Sequence, residues 1–133
     1  MKISAAGSSD ERHDRPFRVL IVEDDPDLRA LVRFHISRDR RFEVVATVSS
    51  AADALEAVTL EPDIVILDHI IEGDIMGIQA APLLKEARPT MRILLYTASA
   101  ERQTAEAEEA IDLYVEKRDV RDLVVDVAKL LDL

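Results

Sequence analysis

The 133-residue chain contains no cysteine. Disulfides, thiolate nucleophiles and cysteine-based metal sites are thereby excluded. No apolar run approaches the ~20 residues of a membrane-spanning helix. The N-terminus also lacks the apolar core of a signal peptide, so a cytoplasmic protein without a membrane partner is expected. Basic charge is scarce: 17 Lys and Arg stand against 27 Asp and Glu, a formal net charge of −10. A nucleic-acid surface needs clustered cations on phosphates, which argues against that partner. Most of the acid belongs on solvated helix surface, but the surplus also suits a site built from several carboxylates. Glycine is missing from the segment Glu23 to Asp27, where a dinucleotide fold needs a glycine-rich turn. Hydroxyl-rich loops of the kind that hold FMN phosphate are absent too. The chain shows no solenoid repeat, and no low-complexity tract beyond its first residues.

Nearly half the residues are apolar and the length suits one domain with a real core. Residues 1–16 are polar and charged and are expected to form a flexible tail, with the folded domain spanning 17–133. Arg18 to Val22 is a first buried strand. Asp25-Pro26 then signals a helix start, a side-chain cap followed by proline in the first turn. Leu28, Leu31, Val32, His35 and Ile36 repeat at helical spacing, which places His35 among packed, hydrogen-bonded core residues. Phe42 to Val48 is a second strand. Ser50 to Asp53 resembles a capping box, Ala54, Leu55 and Val58 form the stripe of the helix it opens, and Glu61-Pro62 stops it.

The unbroken run Ile64 to Leu67 is short enough for a strand buried on both faces, and it ends on Asp68. The loop Ile70 to Gly77 has glycines where a tight backbone path is expected. A third helix runs from Ile78 to near Arg88-Pro89, with Pro82 expected near its first turn. Arg92 to Thr97 is a fourth strand. Ala98 to Ala110 reads as a weakly anchored helix. Leu113 to Lys117 is a short fifth strand, and Val120, Leu123, Val124, Val127, Leu130 and Leu131 mark a final amphipathic helix. Strict alternation of strand and helix implies a doubly wound α/β fold, a five-stranded parallel sheet covered on both faces.

In a parallel sheet all strand ends point the same way. Glu23-Asp24, Asp68, Thr97 and Lys117 close strands one, three, four and five and therefore converge on one edge. Carboxylates gathered there raise one another's pKa unless a cation is present, and Mg²⁺ with oxygen ligands answers that need. Asp24 and Asp68 are its direct ligands, Glu23 holds its waters, and the Ile70 carbonyl completes the shell. An Asp held this way can attack phosphorus and form an aspartyl phosphate. The Lys117 ammonium and the Thr97 hydroxyl then serve two of the transferred oxygens. His69 abuts Asp68, but alternation turns it to the opposite face, which makes it a neighbour that affects access only if the loop turns sharply.

Val22-Glu23-Asp24-Asp25-Pro26, Ile66-Leu67-Asp68, Tyr96-Thr97-Ala98 and Tyr114-Val115-Glu116-Lys117 together resemble the motifs of the response-regulator receiver domain of two-component signalling. The resemblance covers roughly Phe17 to the C-terminus. It implies the flavodoxin-like strand order 2-1-3-4-5. It also implies an acid pair at Glu23 and Asp24, phosphorylation of Asp68, a switch hydroxyl at Thr97, a switch aromatic at Tyr114 and the conserved Lys at Lys117. The implied donor is a sensor histidine kinase or a histidine phosphotransfer protein. With no segment after the last helix, the resemblance implies a stand-alone regulator. It would act by phosphorelay or by docking to a separate protein through its fourth helix, fifth strand and fifth helix. Such a chain is a phosphoacceptor, not an enzyme, acting at most on its own phosphorylation and dephosphorylation.

Two departures stand out. Receivers usually carry proline four positions beyond the acceptor, where this chain has Glu72, and the loop looks about one residue longer before Gly77. They usually carry proline after the Lys, where this chain has Arg118. A more mobile acceptor loop and a trans Lys117 peptide are expected. The departures leave an alternative open, a receiver-like interaction module that is never phosphorylated. A small hydrolase is a third reading. A haloacid-dehalogenase-like phosphatase, however, needs a second Asp two positions beyond the first, and Ile70 stands there.

Overall fold

The computed structural model describes residues 15–98 and 102–133. The expected tail lies, up to residue 14, outside the described residues. The folded part alternates strand and helix throughout: β1 Phe17–Val22, α1 Pro26–Ser37, β2 Phe42–Val48, α2 Ala51–Ala57 with a 3-10 turn Val58–Leu60, β3 Ile64–Leu67, α3 Gly77–Ala87, β4 Arg92–Thr97, α4 Arg102–Ala107, β5 Leu113–Glu116 and α5 Val120–Leu130. All strand pairs are parallel and the sheet order is β2-β1-β3-β4-β5. The expected flavodoxin-like (βα)5 architecture is the one observed.

The strands are apolar because both faces are covered. On one face Leu20, Val22, Val65, Leu67, Ile93 and Leu95 pack under α2 and α3 with Ala105 and Ala110. On the other, Val19, Ile21, Ile64, Ile66, Leu94 and Tyr96 pack under Val32 and Ile36 of α1 and Leu123 and Val127 of α5. Alternate residues of one strand thus serve two cores.

Local chemistry sets the helix starts. Asp25 caps α1, its carboxylate accepting from the Asp27 and Leu28 amides at 3.0 and 3.4 Å, and Pro26 supplies the fixed φ of the first helical position. The Ser50 hydroxyl accepts from the Asp53 amide at 3.2 Å to open α2, and Asp119 does the same for Arg121 at 2.9 Å in α5.

Four expectations need correction. Leu31 was placed in the apolar stripe of α1 but is 45% exposed. The neighbouring His35 is half-buried, edge-on to the exposed Phe34 ring at 5.2 Å, and not a core residue. The stripe that α5 and the sheet cover is narrower than the spacing suggested and centres on Val32 and Ile36. Pro82 is the sixth residue of α3, beyond the first turn, and the helix continues through it although the Ile78 carbonyl loses its amide donor there. The helix expected over Ala98 to Ala110 ends at Ala107, and residues 99–101 lie outside the described part. The Glu108 carboxylate turns back to accept from the Ala110 amide at 3.0 Å, which diverts the chain into a turn.

Candidate functional site at the sheet rim

β1 and β3 run side by side with Val22 opposite Leu67, so the next residues, Glu23 and Asp68, emerge together at the C-terminal rim. The Asp68 amide donates to the Val22 carbonyl at 3.0 Å and locks that register. Asp68 and Glu23 are 5% and 4% exposed, while Asp24 is half-buried. One carboxylate oxygen from each of the three can lie within 4.8 Å of the others. β5 brings the counter-charge. Lys117 Nζ donates to Asp68 Oδ2 at 2.6 Å and to Glu23 Oε1 at 3.0 Å, and it stands 5.9 Å from the centre of the Tyr96 ring.

The electrostatics follow from burial. Desolvation raises the Glu23 carboxyl pKa to about 7, helped by the nearby Asp68 charge and opposed by the hydrogen bond from Lys117. Desolvation pulls the Lys117 pKa down, but its hydrogen bonds to Asp68 and Glu23 prevail and the net shift is upward. Among the described residues, Asp68 Oδ1 is buried with no hydrogen-bond partner. A buried carboxylate oxygen left in that state calls for a cation or a donor. Three hard oxygen donors at this separation suit a hard divalent ion, so the residues fit the Mg²⁺ expected from the sequence.

Thr97 closes β4 at the same rim and is 1% exposed. Its carbonyl accepts from the Lys117 amide at 3.0 Å, which ties the ends of β4 and β5 together. Tyr114 is half-buried in β5 against the core that lies under α2 and α3. Ile70 lies two positions beyond Asp68 in a bend and is 48% exposed. The expected trans peptide at Lys117 is observed, since the described residues include no cis bond. The structure therefore brings Glu23, Asp24, Asp68 and Lys117 into one cluster and brings Thr97 to it through the backbone.

Several contacts around the site were not foreseen. Arg29, one turn into α1, donates to the Glu23 carbonyl at 2.9 Å, and the Asp25 amide donates to Glu23 Oε2 at 3.2 Å. Glu72 pairs its loop with the β2–α2 loop: its amide donates to the Ser49 carbonyl at 2.9 Å and its carboxylate accepts from Ser49 Oγ at 2.7 Å. Gly77 lies against Asp68. A Cβ at this position would fall 2.0 Å from the Asp68 carbonyl oxygen. The glycine in the loop was the only local signal for such an approach, and it did not name the partner.

Sheet order and rim chemistry together define a flavodoxin-like receiver fold. The sequence matches the response regulator receiver domain family over residues 19–128, and the chain belongs to that family. The protein-glutamate methylesterase/protein-glutamine glutaminase 2 of Paramagnetospirillum magneticum is 42% identical over 77 residues, 57% of this chain and 22% of that protein. The nitrate/nitrite response regulator protein homolog of Haemophilus influenzae is 34% identical over 83 residues, 62% of this chain and 39% of that protein. The chain thus spans well under half the length of either. Among solved structures, a LuxR-family two-component response regulator from Aurantimonas sp. superposes with a TM-score of 0.78 at 29% identity, over 88% of this chain and 86% of that one. Among the described residues no helix is long and apolar enough to cross a membrane.

Proposed function

We propose that this receiver accepts a phosphoryl group on Asp68 and signals in the cytoplasm by phosphorylation-dependent protein contacts. The observation that carries the reading is the Lys117 ammonium 2.6 Å from Asp68 Oδ2 within the acidic cluster. That arrangement sets a nucleophile and a charge-neutralising cation side by side at a strand end.

The donor is the phosphohistidine of a sensor kinase or of a histidine phosphotransfer protein. An Asp68 carboxylate oxygen attacks phosphorus and forms the P–O bond of an acyl phosphate. The P–N bond breaks, and the imidazole leaves with its electron pair. Lys117 turns from the carboxylates to a phosphoryl oxygen, and the Thr97 hydroxyl donates to another. Glu23, Asp24, Asp68 and the Ile70 carbonyl would hold Mg²⁺, whose chemistry when bound is neutralisation of the charge on the transferred oxygens. Movement of Thr97 toward the phosphate, with Tyr114 following, would change the surface of α4, β5 and α5, where the downstream protein docks.

Incubating the full chain with acetyl phosphate and Mg²⁺ should give an acid-stable, base-labile adduct on Asp68. It should vanish in Asp68→Asn and without the metal. No adduct at saturating donor would overturn the reading and favour the module that binds partners without being phosphorylated. Partner binding unchanged by Asp68→Asn would identify that module.

A further inference from the structure

We propose that His69 is a positioning residue: its imidazole caps α3 and so fixes the main chain of the adjacent Asp68 for phosphoryl transfer. The inference rests on Asp68 being the acceptor. The first turn of a helix has amides with no partner inside the helix, and a polar side chain at the cap usually meets them. The cap residue of α3 is Met76, whose side chain offers the Gln79 amide only a weakly accepting thioether sulfur. His69 takes over the task from the acceptor side. Its carbonyl accepts from the Gly77 amide at 2.7 Å, and its Nδ1 accepts from the Ile78 amide at 3.3 Å. Gln79 Oε1 accepts from the Met76 amide at 2.9 Å and completes the turn.

A ring nitrogen accepts from an amide through the lone pair in the plane of the ring. The ring is then an oriented acceptor set nine positions before the amide that it holds. Asp68 lies directly between two fixed points. Its amide is tied to the Val22 carbonyl of β1, and its carbonyl faces Gly77 of α3 with no room for a Cβ between them. His69 holds α3 in the place that makes the second contact. Releasing the Ile78 amide loosens the first turn of α3 and with it the peptide carrying the nucleophile. Phosphoryl transfer depends on that placement to within about an ångström.

Full-length wild type, His69→Phe and His69→Asn separate a cap from mere filling of space. Phenylalanine keeps the volume and loses the acceptor, whereas asparagine sets an oxygen near the place of Nδ1. With acetyl phosphate and Mg²⁺, His69→Phe should form the Asp68 adduct about tenfold more slowly, and its Ile78 amide should exchange hydrogen faster. His69→Asn should restore both. Should His69→Phe fail to fold, His69→Ala carries the same expectation. A wild-type adduct rate in the folded Phe or Ala variant would overturn the proposal, as would unchanged Ile78 exchange or an Asn variant that restores neither property. If wild type forms no adduct, the acceptor reading fails and the positioning role falls with it. Faster Ile78 exchange in His69→Phe would still mark the cap.

Discussion

Lys117 and Asp68, 49 positions apart in sequence, meet at 2.6 Å between Nζ and Oδ2, and the same ammonium reaches Glu23 at 3.0 Å. One cation therefore stands between two buried carboxylates. Lys117→Met keeps the aliphatic stem and removes the charge. It leaves Glu23 and Asp68 facing each other without a counter-ion. Unfolding by urea at pH 8 should show a loss of about 1–3 kcal/mol, and adduct formation with acetyl phosphate should slow by ~10²-fold.

The Glu23 carboxyl sets a pH dependence whose sign can be worked out. Its folded pKa is raised from 4.5 to about 7, chiefly by burial. Between those values the unfolded chain has released the proton while the folded one still holds it, so the folded state binds more protons. Stability of the metal-free protein should therefore fall as pH rises through this window and level off above about 7, by on the order of 2 kcal/mol. Glu23→Gln should flatten the profile of urea midpoints. Affinity for Mg²⁺ should rise over the same interval, since the ion competes with that proton.

Glu72 occupies the position where proline is usual in the family, and its backbone is in use. Restoring the proline by Glu72→Pro removes the amide that donates to the Ser49 carbonyl and the carboxylate that accepts from Ser49 Oγ. A loss of about 1–2 kcal/mol is expected in urea unfolding, together with faster proteolysis of the β3–α3 loop. The two bonds to Ser49 also bear on the mobile acceptor loop expected from the missing proline, because they anchor its middle to the next loop.

Gly77→Ala is the sharpest test of packing at Asp68. The added methyl carbon would meet backbone, the Asp68 carbonyl oxygen at 2.0 Å, so no side chain can swing aside to admit it. Either α3 or the end of β3 must shift. Destabilisation of about 1–3 kcal/mol is expected, with a slower rate of adduct formation.

Much of this architecture was legible along the chain, for identifiable reasons. Ile64 to Leu67 and Arg92 to Thr97 announced themselves because strands buried on both faces need no polar alternation. Asp25-Pro26 and Ser50 marked helix starts because capping is decided within a few residues. The rim residues followed from parallel topology, which sends every strand end the same way. What stayed hidden depends on pieces distant in sequence. The spacing of Leu31 and His35 reveals a helical face but not how far α5 extends over it. The contacts of His69 with Ile78, of Gly77 with Asp68 and of Ser49 with Glu72 arise only when loops from different strand ends are brought together. Pro82 sits deeper in α3 than its sequence context suggested, because the helix already starts at Gly77.

The reach of Lys117 has a further consequence, for the order in which the molecule matures. Its partners lie 94 and 49 positions upstream, so the charge balance at the rim spans nearly the whole folded chain. During synthesis Glu23, Asp24 and Asp68 leave the ribosome long before the residue that neutralises them. A nascent chain halted ahead of β5 would carry an uncompensated acidic pocket and an open sheet edge. The charge balance at the rim is thus completed only once β5 has docked, and the pairing of Lys117 with Glu23 and Asp68 reports that event.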